Sequence, residues 1–393
     1  MTPAARAQAA IELLDAIVAA AAGGGAAADT LIARFFKTRR YAGSKDRRAV
    51  RELVYAAIRR AGERPASGRA ALLGLAADDT LVAAAFDGSP HGPAPIEADE
   101  VPASAGTAPA WLVEALGETL AADELPHLLA RAPLDLRVNR LKTDRARVLA
   151  ALPEAVAGAH AADAVRLPEG LAVEALPIWA DGWIEIQDEG SQLIAEACRA
   201  APGTTVIDLC AGAGGKTLAL AAAMADRGRL IACDTDRARL SRLAPRAVRA
   251  GATIVGTRLL DPGREAAALD DLAGGAAVVL VDAPCSGTGT WRRNPEARWR
   301  LTPQRIARLV NTQARLMDVA AALVAPGGAL VYAVCSLLAA EGQAQAEAFL
   351  ARAPGWSAED PFAAGRPHGP GRLLTPAHDR TDGFFVARFT RPC

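Results

Sequence analysis

The sequence predicts an α/β protein. A doubly wound, mostly parallel sheet is expected over residues 201–393, preceded by a small α+β module and an all-helical N-terminal region. Three observations predict this. From Gly203 onward, short apolar runs alternate with helical stretches. One run, Ala276–Val281, is apolar throughout, as a strand buried on both faces should be. The N-terminal 75 residues carry helical periodicity, with Ala9, Leu13, Leu14 and Ile17 on one face.

In order along the chain, Ala5–Val18 reads as a helix, and Arg34–Arg64 as helical with Leu53, Val54, Ala57 and Ile58 as its apolar stripe. That second stretch holds eleven basic residues against three acidic ones, a surface suited to a phosphate backbone. Residues 86–110 are dense in Pro and Gly and read as a linker. A helical stretch near Trp111–Leu129 opens the α+β module at 111–200. There Leu134–Val138 and Trp183–Gln187 read as strands, and Ala146–Leu152 and Gln192–Arg199 as helices. The last part contains strands at Thr205–Leu209, Arg229–Cys233, Ala252–Val255, Ala276–Val281, Ala329–Val334 and Gly383–Phe389. The expected divisions are therefore 1–85, 86–110, 111–200 and 201–393.

Composition excludes several classes. The 393 residues are 51% hydrophobic and 22% charged, with net charge 0, which is ordinary for a globular chain. No apolar run approaches the ~20 residues that span a bilayer, and the N-terminus lacks the pattern of a signal peptide. The six cysteines (Cys198, Cys210, Cys233, Cys285, Cys335 and Cys393) form no CxxC pair, so neither a metal site nor a disulfide scaffold is expected. Free thiols fit a reducing cytoplasm. The chain carries 40 Arg but only four Lys, at Lys37, Lys45, Lys142 and Lys216, so a lysine inside a motif stands out against the arginine background.

A Gly-rich turn, Asp208-Leu-Cys-Ala-Gly-Ala-Gly-Gly-Lys-Thr217, joins a strand to a helix. At a helix N-terminus, bare backbone approaches a ligand closely. A P-loop fails because Cys210 stands where its first Gly belongs, and a dinucleotide fingerprint fails at Thr217. The nucleoside end of S-adenosylmethionine (AdoMet) needs the close approach without a polyphosphate cradle. Asp234, after the second strand, is placed to hold its ribose hydroxyls.

Two cysteines follow adjacent strands, in Val279-Leu-Val-Asp282-Ala-Pro-Cys285 and Val331-Tyr-Ala-Val-Cys335. A single cysteine is more often a small buried hydrophobe. Two thiols at neighbouring strand ends beside a nucleoside-type turn point to methylation at C5 of a pyrimidine. Thiolate addition at C6 makes C5 nucleophilic, and Asp282 is suited to the N3/N4 edge of the base. Such a base must be single-stranded or flipped out. Trp291, Arg292, Arg293, Arg298, Trp299 and Arg300 would supply stacking and phosphate contacts.

These motifs resemble the NOL/NOP/Sun RNA cytosine-5 methyltransferases, most closely the bacterial Sun/Fmu type acting on 16S rRNA. The matches are DLCAGAGGKT (208–217), VDAPCSGTGTWRRNPEARW (281–299), YAVCS (332–336) and TDGFFVARF (381–389). LRVNRLKT (136–143) and IEIQDEGSQL (184–193) are similar to the family's RNA-binding module. GSKDRRAVRELVYAAIR (43–59) is similar to its NusB-like domain.

The resemblance implies a Rossmann-like AdoMet-dependent methyltransferase domain, with Cys335 as nucleophile and Cys285 assisting product release. It places Cys210, Ala211, Gly212, Ala213, Gly214, Gly215, Lys216, Asp234, Asp261 and Asp282 at AdoMet, with no metal. It places Arg137, Asn139 and Lys142, with Arg292, Arg293 and Arg298, at RNA. The implied partner is RNA, rRNA first, and the implied state a cytoplasmic monomer. Two features depart from the family. Ala213 replaces its usual proline, and the helical domain is short, at about 75 residues. The alternatives are a non-catalytic RNA-binding assembly factor, the same chemistry on tRNA or 23S rRNA, or methylation of another base or of protein. The last would have no use for two thiols.

Overall fold

The computed structural model describes residues 1–168 and 170–393. The chain forms two compact units. One comprises Met1–Arg131 with Thr290–Thr302; the other comprises Ala132–Gly289 with Pro303–Cys393. Among the described residues, no helix is long and apolar enough to cross a membrane.

The first unit is helical. Helix α1 (Pro3–Gly23) starts with proline in its first turn under a Thr2 cap and ends at left-handed Gly24. Helices α2 (Ala28–Thr38), α3 (Ser44–Arg60) and α4 (Gly68–Ala76) pack around it. The core holds Leu13, Leu14, Ile17, Val50, Val54, Ile58 and Leu72. The continuous helical stretch expected over Arg34–Arg64 is thus broken at 39–43, where Gly43 N-caps α3. Arg34, Lys37, Arg40, Lys45 and Arg48 remain exposed. The Pro/Gly-rich segment contains no helix but is anchored: Ala105 bridges Ala61 and Glu100 pairs with Arg69. Only Ala110–Gly117 of the stretch expected at Trp111–Leu129 is α-helix, with a 3-10 turn at Leu125–Leu129.

The segment 290–302 belongs to this helical unit, and its polar groups satisfy helix ends. Arg298 Nη2 donates to the carbonyls of Ile58 (2.6 Å) and Ala61 (2.7 Å) at the end of α3. Arg300 donates to Gly25 and Ala26 carbonyls after α1, both at 2.8 Å. Glu296 accepts the first amide of α2, from Ala28, at 2.9 Å. Helix termini leave such groups without intrahelical partners, and the charge signs suit the helix dipoles.

The second unit contains two sheets. Strands β1 (Leu134–Val138), β2 (Val156–Ala157), β3 (Ala164–Leu167) and β4 (Ile184–Ile186) form an antiparallel sheet in the order β2-β3-β1-β4. Then come β5 (Thr205–Asp208), β6 (Arg229–Asp234), β7 (Val255–Leu259), β8 (Ala276–Asp282) and β9 (Val324–Val334), all mutually parallel. Strands β10 (Ser357–Glu359), β11 (Arg366–His368), β12 (Gly371–Leu374) and β13 (Phe384–Thr390) complete this sheet in antiparallel fashion. Its order is β11-β12-β13-β9-β8-β5-β6-β7, with β10 on β13. The strand expected at Ala252–Val255 lies later, at β7. The direction of winding reverses between β5 and β8, and ligands bind at the carboxyl ends beside such a switch point.

Candidate active site

The carboxyl end of β5 leads into the Gly-rich turn. Gly214 has φ +86°, and a Cβ there would lie 2.1 Å from Leu243 Cδ1, so only glycine fits. The helix Gly215–Ala223 that follows has no side-chain cap, leaving its first N–H groups for a ligand. At the end of β6, Asp234 accepts from the amides of Gly212 and Asp236, each at 2.7 Å, which ties the turn to that strand. Asp261, beyond β7, is exposed.

The end of β8 carries Asp282, whose Oδ2 accepts from Lys216 Nζ at 2.7 Å. Burial alone would lower the lysine's pKa, but the Asp282 carboxylate outweighs it, and Lys216 is held above its ordinary range. Asp208 at the end of β5 is buried; its Oδ2 accepts from the Thr217 hydroxyl at 2.7 Å, while Oδ1 has no partner. Burial pushes this carboxyl up to about 7. Sequence reasoning does not single Asp208 out.

Beyond the ends of β8 and β9, Cys285 Sγ and Cys335 Sγ stand 3.3 Å apart. The contact with Cys335, then burial, drives the Cys285 thiol well above its ordinary pKa. Either sulfur can act as the donor in this contact. The two turns are pinned together. Gly289 N–H donates to the Cys335 carbonyl at 3.0 Å, and Gly383 N–H to the Gly289 carbonyl at 2.8 Å. A Cβ on Gly289 would lie 2.0 Å from the Gly383 oxygen, so the approach needs glycine. Beneath them sits Glu341, wholly buried, which accepts from Ser286 N (2.9 Å), Gln313 Nε2 (2.9 Å) and Ser336 Oγ (2.6 Å). Sequence reasoning misses Glu341. It follows the apolar Leu337–Ala340 after the cysteine motif, and neither periodicity nor a chemical pattern marks it.

The expected site residues therefore divide. Cys210 to Lys216, Cys285 and Cys335 follow the carboxyl ends of parallel strands, and Asp234 and Asp282 are the last residues of theirs. The expected RNA contacts do not gather in the same way. Arg137 is buried, gives Nε to Gln187 at 2.6 Å, and is lowered by burial to about 10. Asn139 is buried, and its Nδ2 donates to the carbonyls of Gly182 and Ala250, both at 2.8 Å. These two are structural ties in place of the expected RNA contacts. Lys142 is exposed. Arg298 is wholly buried and Arg292 nearly so, so the expectation of phosphate contact is corrected for both; Arg293 is half-buried.

Known proteins place this architecture. Residues 196–390 match the model of the 16S rRNA methyltransferase RsmB/F domain, and residues 108–174 match the ferredoxin-like domain of the same group. The ribosomal RNA small subunit methyltransferase B of Xylella fastidiosa is 38% identical over 299 residues, covering 72% of this chain and 68% of the relative. The chain belongs to the RsmB/F family. Methyltransferase B of Salmonella arizonae is 35% identical over 291 residues, 72% of this chain and 66% of its own. The chain spans about two thirds of the length of these relatives. Among solved structures, PH0851 shares the fold across 99% of each chain, with a TM-score of 0.79 and 23% identity. NSun6 from Pyrococcus horikoshii, crystallised with SFG, covers 72% of this chain and 98% of its own, with a TM-score of 0.65 and 19% identity. The RsmB/F fold is thus the Rossmann-like, mostly parallel sheet described above.

Proposed function

We propose that the protein transfers a methyl group from AdoMet to C5 of a cytosine in RNA, with small-subunit rRNA as the substrate and the cytoplasm as its location. The observation that carries this is the pair of thiols 3.3 Å apart, at the ends of two adjacent parallel strands, next to the Lys216–Asp282 pair and the Gly-rich turn.

The donor set fits AdoMet. The uncapped helix start and the Gly212–Gly214 backbone suit the amino-acid end, and Asp234 suits the ribose hydroxyls. When bound there, AdoMet supplies the electrophilic methyl. This chain's own residues do the rest. Cys335 adds its sulfur to C6 of the base, which concentrates electron density at C5. Asp282, held by Lys216, faces the charge that develops on the ring. Cys335 gives up its thiol proton to solvent as it adds, and Cys285, 3.3 Å away, is placed to hydrogen-bond the same sulfur when it is expelled. The C5 proton leaves to solvent. The exposed basic residues of the helical unit, Arg34, Lys37, Arg40, Lys45 and Arg48, supply phosphate attraction, as expected of a NusB-like domain.

The test is incubation with labelled AdoMet and protein-free rRNA from a strain lacking the gene, with the product mapped by bisulfite sequencing. A single new 5-methylcytosine in the small-subunit RNA is expected. AdoMet bound by calorimetry with no label in any RNA would overturn the reading.

A further inference from the structure

We propose that Glu341 is a positioning residue that sets the separation and orientation of the two thiols. This rests on the reading of the site as a two-cysteine methyltransferase. Glu341 lies after β9, touches neither sulfur in the hydrogen-bond pattern, and is wholly buried. One carboxylate oxygen takes the backbone N–H of Ser286, the residue after Cys285. The other takes the hydroxyl of Ser336, the residue after Cys335, at 2.6 Å. A single side chain thus grips the neighbour of each catalytic thiol.

The grip is reinforced on every side. Ser336 Oγ lies 3.0 Å from Ser286 Oγ and 3.2 Å from Thr288 Oγ1. Thr288 Oγ1 accepts from Leu337 N at 2.8 Å, which crosses back from one turn to the other. Gln313 gives one Nε2 to both the Glu341 carboxylate (2.9 Å) and the Pro284 carbonyl before Cys285 (3.0 Å). Tyr332 OH holds the Glu341 backbone carbonyl at 2.6 Å. Burying a carboxylate is costly unless it is fully hydrogen-bonded, and this one receives three donors, two of them from the turns that bear the thiols. A network of this kind fixes one arrangement of its members. Its product here is a Sγ–Sγ distance short enough for one thiol to donate to the other.

Glutamine fits the same place. Its oxygen can accept from Ser286 N and Gln313, and its NH2 can donate to Ser336 Oγ once that hydroxyl turns toward Ser286. Alanine leaves Ser286 N without an acceptor and leaves Gln313 Nε2 with the Pro284 carbonyl alone. Displacing reacting groups by about 1 Å costs on the order of 100-fold in rate. Glu341→Ala is therefore expected to lower kcat about 100-fold, with AdoMet affinity changed less than about 3-fold, and Glu341→Gln to recover to within about 10-fold of the parent.

The decisive readout is independent of methylation. Phenylarsine oxide bridges two thiols only when they are close. The full-length parent should bind one equivalent across Cys285 and Cys335, located by mass spectrometry. Glu341→Ala should lose that bridge while each thiol still reacts singly with iodoacetamide, and Glu341→Gln should keep it. If Glu341→Ala fails to fold, Ser336→Ala, which deletes one hydroxyl of the grip, should weaken bridging and raise the ratio of covalent RNA adduct to product. Unchanged bridging and unchanged adduct ratio in the folded variants, with only a lower Tm, would reduce Glu341 to a stabilising role and overturn the proposal. Bridging that depends on Glu341 in a protein that methylates no RNA would overturn the methylation reading and leave the positioning role standing.

Discussion

One continuous stretch of chain, residues 281–300, holds two regions of opposite character. The first half, through Gly289, ends β8 in a turn where Asp282 and Cys285 stay partly open to solvent. The second half is denser in charge and aromatic rings, yet Trp291, Arg298 and Trp299 are buried in the helical unit. The first half has a position fixed by topology, because a residue at the carboxyl end of a central parallel strand must face the crevice. The second half has only composition. Arginine and tryptophan serve phosphates and bases, but a guanidinium also suits the free carbonyls of helix ends. Charge in a sequence announces a partner without saying whether that partner is another molecule or the chain itself.

This contrast is tested most severely at the thiols. Cys335→Ala should lower methyl transfer by at least about 1,000-fold while AdoMet binding by calorimetry stays within about 2-fold, because the nucleophile is lost but the Gly-rich turn is not. Transfer at a tenth of the parent rate would show that Cys335 is not the nucleophile. Cys285→Ala should lower turnover less, by about 100-fold, and do so by trapping the covalent RNA–protein complex, visible as a shifted band on a denaturing gel. Clean turnover without that band would remove Cys285 from the release step.

The same contrast accounts for what is legible in the sequence. Four of the five parallel strands are visible as apolar runs, whereas β7, with Gly256, Thr257 and Arg258, is not and lies later than expected; the cysteines, Asp282 and the Gly-rich turn follow from their places at the ends of the visible runs. The edge strands β10 to β12 are not visible either, since short antiparallel strands such as Arg366–His368 alternate with no strong apolar signal. Helix Pro303–Leu323 is missed too, although Ile306, Leu309, Val310, Leu316, Met317 and Ala320 recur at helical spacing; buried Gln313 is the polar residue within that stripe. Glu341, Asp208 and the buried roles of Arg137 and Asn139 depend on hydrogen bonds between residues far apart in sequence, which no local pattern encodes.

Arg298 probes the contrast from its structural side. Arg298→Ala should destabilise the helical unit by about 3–5 kcal/mol in denaturant unfolding, since the Ile58 carbonyl loses its Arg298 donor inside the core and the Ala61 carbonyl keeps only Trp299 Nε1. At temperatures where this variant is folded, the salt dependence of RNA binding should not change. Arg48→Ala, at an exposed position, should do the reverse: little loss of stability, and a salt slope reduced by about one. A reduced slope for Arg298→Ala would return that residue to the RNA surface.

The smallest effect belongs to Asp208, the buried carboxyl at the end of β5. Burial raises its folded pKa to about 7 from an ordinary 3.8. Such a group holds its proton more tightly in the folded state. Its contribution to stability is complete below about pH 4 and is lost as pH rises through about 7. Over that window the folded state binds more protons than the unfolded chain, so stability must fall. Asp208→Asn cannot titrate, yet keeps an oxygen for the Thr217 hydroxyl. The stability of the parent relative to this variant should therefore drop by about 2 kcal/mol between pH 4 and pH 5.5, measured by denaturant unfolding followed by far-UV circular dichroism. Parallel pH profiles for the two proteins would mean that Asp208 ionises as freely when folded as when unfolded, and that the crevice at the end of β5 is open to water where the fold makes it dry.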